Sequence, residues 1–370
     1  MAPDAPDFSS MRRALVVKLR HHGDVLLSSP VFTALKAHAP HLALDALVYD
    51  DTREMISLHP AIDQIHCVGR QWRTLPALAH GRAEWALWQR LRDARYDLLI
   101  HLTDHPRGAW LARTLGTQVS VAPRRQGRAA RGVGGRWWRS SFTHHYPVIG
   151  SGRRHTVETH LDALRRIGIY PQPDQRRLHM EPGAAAWASV DDRLAQAGLQ
   201  EGSFIHFHPA SRWLFKCWPT AQAARLIDAL HAQGEQIVLT GAPTGAERDM
   251  IDQIIAQCAR PPLDWSGRLS LKEMAALSAR ARLFIGVDSA PMHIAAAMGT
   301  PSVAVFGPSG EQEWGPWQVP HRVVSSAEHP CRPCGLDGCG GGKRSDCIER
   351  LTVAQVLGAA RELLAQPAGR

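Results

Sequence analysis

The chain has 370 residues, more than the roughly 250 to 300 at which a single hydrophobic core usually divides, so two domains are expected. Hydrophobic residues make up 44%, ample for cores, and 43 Lys and Arg against 34 Asp and Glu leave a net charge of +9, whose locally clustered arginines imply an anionic substrate or an anionic membrane surface. No stretch approaches the ~18 uninterrupted apolar residues of a membrane span, and MAPDAPDFSS lacks the basic-then-apolar order of a secretory signal, so the expected location is the cytoplasm.

Along the first half, the apolar runs ALVVKL, LALDALVY, DQIHCV, YDLLIHL and QVSVA are predicted strands, with a helix over residues 76–95 among the segments between them. This alternation is the signature of a doubly wound α/β domain. At VVKLRHHGDVLLSSP, residues 16–30, the first strand turns into a helix marked by Val25, Leu26, Val31 and Leu35. Asp24 lies at that turn, where open α/β proteins place their chemistry. The plainer alternative is that Asp24 is a helix N-cap.

Residues 124–140, RRQGRAARGVGGRWWRS, set six arginines beside Trp137 and Trp138 in a segment too irregular for a helix and read as a solvated loop or a grip on a polar–apolar boundary. No zinc-finger spacing, RNA-binding aromatic signature or helix-turn-helix accompanies it, so no nucleic-acid partner is expected. Near Tyr170 the texture changes to YPQPDQRRLHMEPG, taken as an interdomain linker. A helix over 184–197 precedes a second set of strands, SFIHFHP, QIVLTG, ARLFIGV and SVAVFG, and an amphipathic helix over 352–364 ends the pattern. The expected organisation is two Rossmann-like α/β domains facing a cleft, over 11–175 and 183–350, with a C-terminal helix over 351–366.

No G-x-G-x-x-G follows the first strand, and GGGKRS lacks the upstream glycine of a phosphate-binding P-loop, which disfavours a dehydrogenase and a P-loop NTPase. The sharpest segment is LFIGVDSAPMHIAAAMGTPSVAVFGPS, residues 283–309. There a buried strand ends at Val287, Asp288 and Ser289 are good N-cap types, Pro291 suits the first helical turn, and Gly299 closes the helix. Such a strand-cap-helix unit is an anion site, and the small Ser289 and Ala290 allow close approach; an ordinary capped βαβ unit is the alternative. In HFHPASRWLFKCWP, residues 206–219, Ser211, Arg212 and Lys216 share a short loop where lysine can offset a departing phosphate's charge. His206 and His208 share one strand face and read as structural or donor-adjacent. Cys331, Cys334, Cys339 and Cys347 form C-x2-C-x4-C-x7-C; reduced thiols in a loop are the default, a small structural zinc site the alternative, and disulfides are disfavoured in a reducing compartment.

Together GDVLLSSPVFTAL, HPASRWLFKCWP, the 283–309 segment and HPCRPC resemble the lipopolysaccharide core heptosyltransferases, inverting glycosyltransferases of the GT-B fold, over about residues 11–365. The RWLFKCWP form is most similar to the heptosyltransferase III branch, which adds a side-branch heptose to the second inner-core heptose. The resemblance implies ADP-L-glycero-D-manno-heptose as donor, a lipid A-linked core oligosaccharide as acceptor, work at the cytoplasmic face of the inner membrane, and no required cofactor or metal. It places Asp24 as general base and Lys216 on the donor phosphate. It assigns donor binding to Ser211, Arg212, Asp288, Ser289, Ala290, Pro291, Met292 and His293, and acceptor binding to Gly23 and Arg20. A carboxylate near a diphosphate repels it, so Asp288 is expected on a sugar hydroxyl or capping its helix, and His293 either touches the diphosphate or is simply packed. A sugar hydroxyl is a weak nucleophile that a carboxylate activates by accepting its proton. Heptosyltransferase I or II activity, a non-catalytic nucleotide-sugar-binding protein, and a basic nucleic-acid or membrane-surface module are the alternatives.

Overall fold

The computed structural model describes residues 5–149 and 153–366. These fall into two compact units. The first holds the residues up to 149 together with Thr156–His179, and the second holds residues 153–155 and everything from Met180 onward. The last of the three crossings, between His179 and Met180, therefore falls inside the proline-rich YPQPDQRRLHMEPG stretch.

In the first unit, β1 (Arg13–Val17), β2 (Ala43–Tyr49), β3 (Gln64–Val68), β4 (Leu98–His101), β5 (Val119–Pro123) and β6 (His144–Tyr146) form a sheet in the order β3-β2-β1-β4-β5-β6. In the second, β7 (Phe204–His208), β8 (Gln236–Leu239), β9 (Leu263–Asp264), β10 (Leu283–Val287), β11 (Ser302–Phe306) and β12 (His321–Ser325) are ordered β12-β11-β10-β7-β8-β9. Every pairing in both sheets is parallel. Helices cover both faces of such sheets, so the strands are continuous apolar runs rather than alternating ones, and β4, β5, β7, β10 and β11 are buried at every residue. Each sheet reverses its winding beside its first strand, between β1 and β4 in one unit and between β7 and β10 in the other. In doubly wound sheets that reversal opens a crevice at the strands' carboxyl ends.

The first core gathers Leu15, Val17, Leu47, Leu99 and Trp138. The second gathers Ile205, Phe207, Ile285 and Val303, and the C-terminal helix Val353–Leu364 adds Val356, Ala360 and Leu363 to it. The helix predicted over 76–95 is found at Ala77–Asp93. Among the described residues no helix is long and apolar enough to cross a membrane.

Two local expectations are corrected. The helical pattern after β1 is broken into His22–Leu26 and Ser29–His38. Pro30 has no N–H for a continuous ladder, so the chain restarts with proline in a first turn, where that donor is not needed. The Ser28 hydroxyl, in the break, donates to the Val25 carbonyl at 2.6 Å. The arginine-rich stretch is not a loop but a 3-10 turn, Gly127–Ala130, followed by the helix Gly132–Ser141. Its glycines hide the helical pattern, yet they are what lets it pack: a Cβ on Gly135 would lie 2.2 Å from the Ala130 carbonyl oxygen. Trp138 is 1% exposed and its indole donates to the Pro123 carbonyl at 3.0 Å, so burial of one large side chain outweighs weak helix propensity.

Candidate active site

Each winding reversal carries a charged pair. Beyond the end of β1, Lys18 is buried and Asp24 follows within the short helix His22–Leu26. Asp24 is in the first turn of that helix and is not its N-cap, a position His21 occupies, so the capping alternative is set aside. The Lys18 ammonium lies 3.4 Å from an Asp24 carboxylate oxygen, 2.8 Å from His160 Nε2, and donates to the Leu102 carbonyl at 3.3 Å. His160, on the helix Thr156–Arg165, has Nδ1 3.0 Å from the Leu27 carbonyl. An ammonium buried this far is tolerable only with such partners.

Burial alone pushes the Asp24 carboxyl up, but the charges of Lys18, His160 and Arg20 together outweigh it and hold the carboxyl below the usual carboxylate range. Burial lowers the Lys18 ammonium against the opposing pull of Asp24. The result is a partly exposed carboxylate, ionised at neutral pH, whose position is fixed from behind. Gly23 precedes it in the helix and is half-buried, while Arg20 is exposed, its carbonyl accepting from the Arg70 guanidinium at 3.1 Å.

Sequence reasoning missed Lys18 and His160. Lys18 left a signal, a charge at the end of an apolar strand; His160 left none, being brought from over 130 residues away by the fold.

In the second unit the loops after β7 and β10 meet. Lys216 ends a 3-10 turn, Leu214–Lys216, that is anchored by buried Phe215 and by Trp218, whose indole donates to the Leu351 carbonyl at 2.9 Å. The Ser211 hydroxyl accepts from the Trp213 N–H at 3.3 Å, tightening the same loop. Lys216 Nζ donates to Asp288 Oδ2 at 2.6 Å. Asp288 thus neither caps the following helix nor points away from the lysine; it holds the ammonium in place.

Ser289 is the N-cap of the helix Ala290–Ala297, with Pro291 in the first turn and Gly299 just past the end at φ +77°. The Ser289 hydroxyl makes no capping bond and instead sits 3.4 Å from the Val287 carbonyl. Pro291, Met292 and His293 are buried, Ala290 is half-buried, and Arg212 is exposed. Beside Lys216 lies a cavity of about 330 Å³ lined also by Trp213, Phe215 and Trp314. None of Ser211, Arg212, Asp288 or the 289–293 turn lines it.

His206 and His208 are structural. Thr240 Oγ1 lies 2.8 Å from a ring nitrogen of each, and Ser278 Oγ is 3.0 Å from the other nitrogen of His206. Burial pushes them down to about 3 and about 4, so both rings are neutral. Cys331, Cys334 and Cys339 are exposed free thiols and Cys347 a buried one. Burial raises the Cys347 thiol, and the neighbouring Cys339, Cys334 and Cys331 raise it further. Among the described residues no group of three or more His, Cys, Asp or Glu is placed to hold a metal ion, as the zinc alternative required.

The profile of glycosyltransferase family 9 (heptosyltransferase) matches residues 84–342. Lipopolysaccharide heptosyltransferase 3 of Escherichia coli is 34% identical over 301 residues, 81% of this chain and 84% of its own. Among solved structures, the family 9 glycosyl transferase from Veillonella parvula superposes with a TM-score of 0.78 at 22% identity, covering 97% of this chain and 99% of its own. The E. coli heptosyltransferase WaaC with ADP gives 0.68 at 21%, covering 95% and 99%. The two doubly wound sheets, the family profile and the 34% identity to heptosyltransferase 3 agree: the chain belongs to glycosyltransferase family 9, the heptosyltransferases, and is a glycosyltransferase of the GT-B fold.

Proposed function

We propose that the enzyme transfers L-glycero-D-manno-heptose from ADP-heptose, with inversion, to the lipid A-linked inner core of lipopolysaccharide, adding a branch at the second core heptose. The observation that carries this is the Asp24 carboxylate, partly exposed at a winding reversal and kept ionised by buried Lys18. A site that only bound a nucleotide sugar would have no use for it.

In this mechanism Asp24 accepts the proton of the acceptor hydroxyl as its oxygen bonds the anomeric carbon. The bond from that carbon to the ADP oxygen breaks on the opposite face, and its electron pair leaves with ADP, so the anomeric centre inverts. Lys216, exchanging Asp288 for a phosphate oxygen, neutralises the charge that develops, helped by the N–H groups at the start of the Ala290–Ala297 helix. No metal is needed for either role. Asp288, freed, is a partner for a donor sugar hydroxyl; Ser211, Arg212 and the turn from Ser289 through Ala290, Pro291 and Met292 to His293 surround the donor. The aromatic cavity beside Lys216 suits a planar base. Gly23 and Arg20 flank the acceptor. The basic charge favours work at the anionic cytoplasmic face of the inner membrane.

The branch assignment rests on the 34% identity to heptosyltransferase 3 and on the RWLFKCWP loop. It is tested by ADP release from ADP-heptose with core acceptors truncated at successive heptoses. Release that requires two heptoses supports the branch; release with a one-heptose or unsubstituted acceptor moves the enzyme to the main chain; no release and no donor binding overturns the transferase.

A further inference from the structure

The short helix that carries Asp24 ends at Leu26 and the next begins at Ser29, and the break leaves a backbone group without its helical partner. In a continuous helix the Val31 N–H would bond the Leu27 carbonyl; here it bonds the Ser28 carbonyl at 3.0 Å. The freed Leu27 carbonyl is met by a side chain from far along the chain, His160 Nδ1 at 3.0 Å. A buried carbonyl that loses its helical donor needs another, which accounts for one nitrogen of this ring. It does not account for the other. His160 is 3% exposed, and its Nε2 lies 2.8 Å from the Lys18 ammonium.

A carbonyl only accepts, so Nδ1 carries a proton and the neutral ring offers the Nε2 lone pair to Lys18. Two protonated nitrogens facing each other at such a distance would repel, so a proton on Nε2 requires Lys18 to be the uncharged partner. The pair therefore holds one positive charge beside Asp24 wherever the shared proton sits. An ammonium has three N–H groups, and Lys18 faces three acceptors: His160 Nε2 at 2.8 Å, the Leu102 carbonyl at 3.3 Å and Asp24 Oδ1 at 3.4 Å. The first two are held by the helix Thr156–Arg165 and by the residue after β4, and they set the direction left for the third. Among the described residues Lys18 is the one hydrogen-bond or ion-pair partner of the Asp24 carboxylate.

Resting on the transferase reading above, we propose that His160 is a positioning residue for the general base: by engaging one N–H of Lys18 it aims another at a single oxygen of Asp24, and the second oxygen is presented to the acceptor hydroxyl. Burial pushes the Asp24 carboxyl up, and after Lys18 the strongest pull against it comes from His160, in keeping with a grip exerted through the shared charge. The same ring ties the end of the Asp24 helix through Leu27, so the carboxylate is located from its backbone and from its counter-ion at once.

Two amides separate the contacts of the ring. The side chain of His160→Gln ends where Nε2 stands and keeps an oxygen for Lys18; that of His160→Asn ends where Nδ1 stands, keeps a donor for Leu27 and falls short of Lys18; His160→Leu fills the space with neither. In ADP release from ADP-heptose on a core acceptor, kcat is expected to fall about 10- to 100-fold in His160→Asn and His160→Leu, the cost of a reacting group displaced by about an ångström, and to stay within a few-fold of the wild type in His160→Gln. Acceptor KM and ADP affinity should hold in all three. The Gln and Asn variants each keep one hydrogen bond, so a difference in kcat between them at equal thermal midpoint is not a packing effect. Equal kcat in those two variants, whether high or low, overturns the proposal, as does a His160→Leu enzyme within a few-fold of the wild type. A ¹³C-detected titration of the Asp24 carboxyl reads the grip without turnover: it should move up in His160→Asn and His160→Leu and hold in His160→Gln, and one titration common to all three overturns the proposal. No ADP release from any acceptor by the wild type would remove the transferase and leave that titration to decide His160. In the wild type, where no variant has to fold, the ¹⁵N shifts of the ring should show Nδ1 protonated, and a proton on Nε2 alone overturns the proposal.

Discussion

Replacing Lys18 with methionine keeps much of the side-chain volume and removes the one ammonium beside Asp24. At 3.4 Å and an effective dielectric constant of ~20, that ammonium stabilises the carboxylate by about 5 kcal/mol. Its loss lets the Asp24 carboxyl rise above the ordinary carboxylate range, because burial is then opposed by His160 and Arg20 without the largest opposing charge. A ¹³C-detected titration of the Asp24 carboxyl reads this directly, and the acid limb of the ADP-release profile should move with it. The variant should also lose about 3 kcal/mol of stability, since a partly buried carboxylate loses its counter-charge, and Lys18→Met combined with Asp24→Asn should recover most of that. An Asp24 titration that stays put in Lys18→Met would refute the claim that Lys18 keeps the carboxylate ionised.

Acid should unfold the protein through its buried histidines. His59 and His101 in the first unit are pushed down by burial to about 4 and about 3, His206 and His208 in the second to about 3 and about 4, against 6.5 in an unfolded chain. The unfolded chain therefore takes up protons first, so stability is complete above about pH 6.5 and falls toward pH 4, by about 2 kcal/mol per histidine at pH 5; a flat thermal midpoint between pH 7 and 5 would contradict this. Gly135→Ala drives a methyl against the Ala130 carbonyl oxygen, and a loss of about 1 to 3 kcal/mol in chemical denaturation is expected, with a neutral result counting against tight packing of the Gly132–Ser141 helix. Lys216→Ala leaves Asp288 without its cation and facing the incoming diphosphate, so ADP affinity by calorimetry should fall about tenfold or more, and an unchanged affinity would remove Lys216 from the donor site.

Much of this was legible in the sequence because parallel sheets announce themselves. Strands buried on both faces need unbroken apolar runs, and ALVVKL, YDLLIHL and ARLFIGV each surfaced as a central strand. Asp24, Lys216 and Asp288 stood out because each is a charge in a segment that leads from a buried strand toward the next helix, where open α/β proteins place their chemistry. What stayed hidden depends on distance or on cancellation. The partnership of Lys18 with His160 joins residues far apart in the chain, and that of Lys216 with Asp288 spans 72 positions, so neither leaves a local pattern. The arginine-rich helix was masked by glycines whose reason, contact with the preceding turn, exists only once the chain is folded. The break before Ser29 was readable from Pro30, but the apolar periodicity across it outweighed that signal.

The most direct measurement is ADP release from ADP-heptose on a two-heptose core acceptor by the wild type and by Asp24→Asn, with ADP affinity measured alongside. The account predicts that kcat falls about 10²- to 10⁴-fold, the range of a general base, while ADP binds as before. An Asp24→Asn enzyme that turns over within a few-fold of the wild type would contradict it.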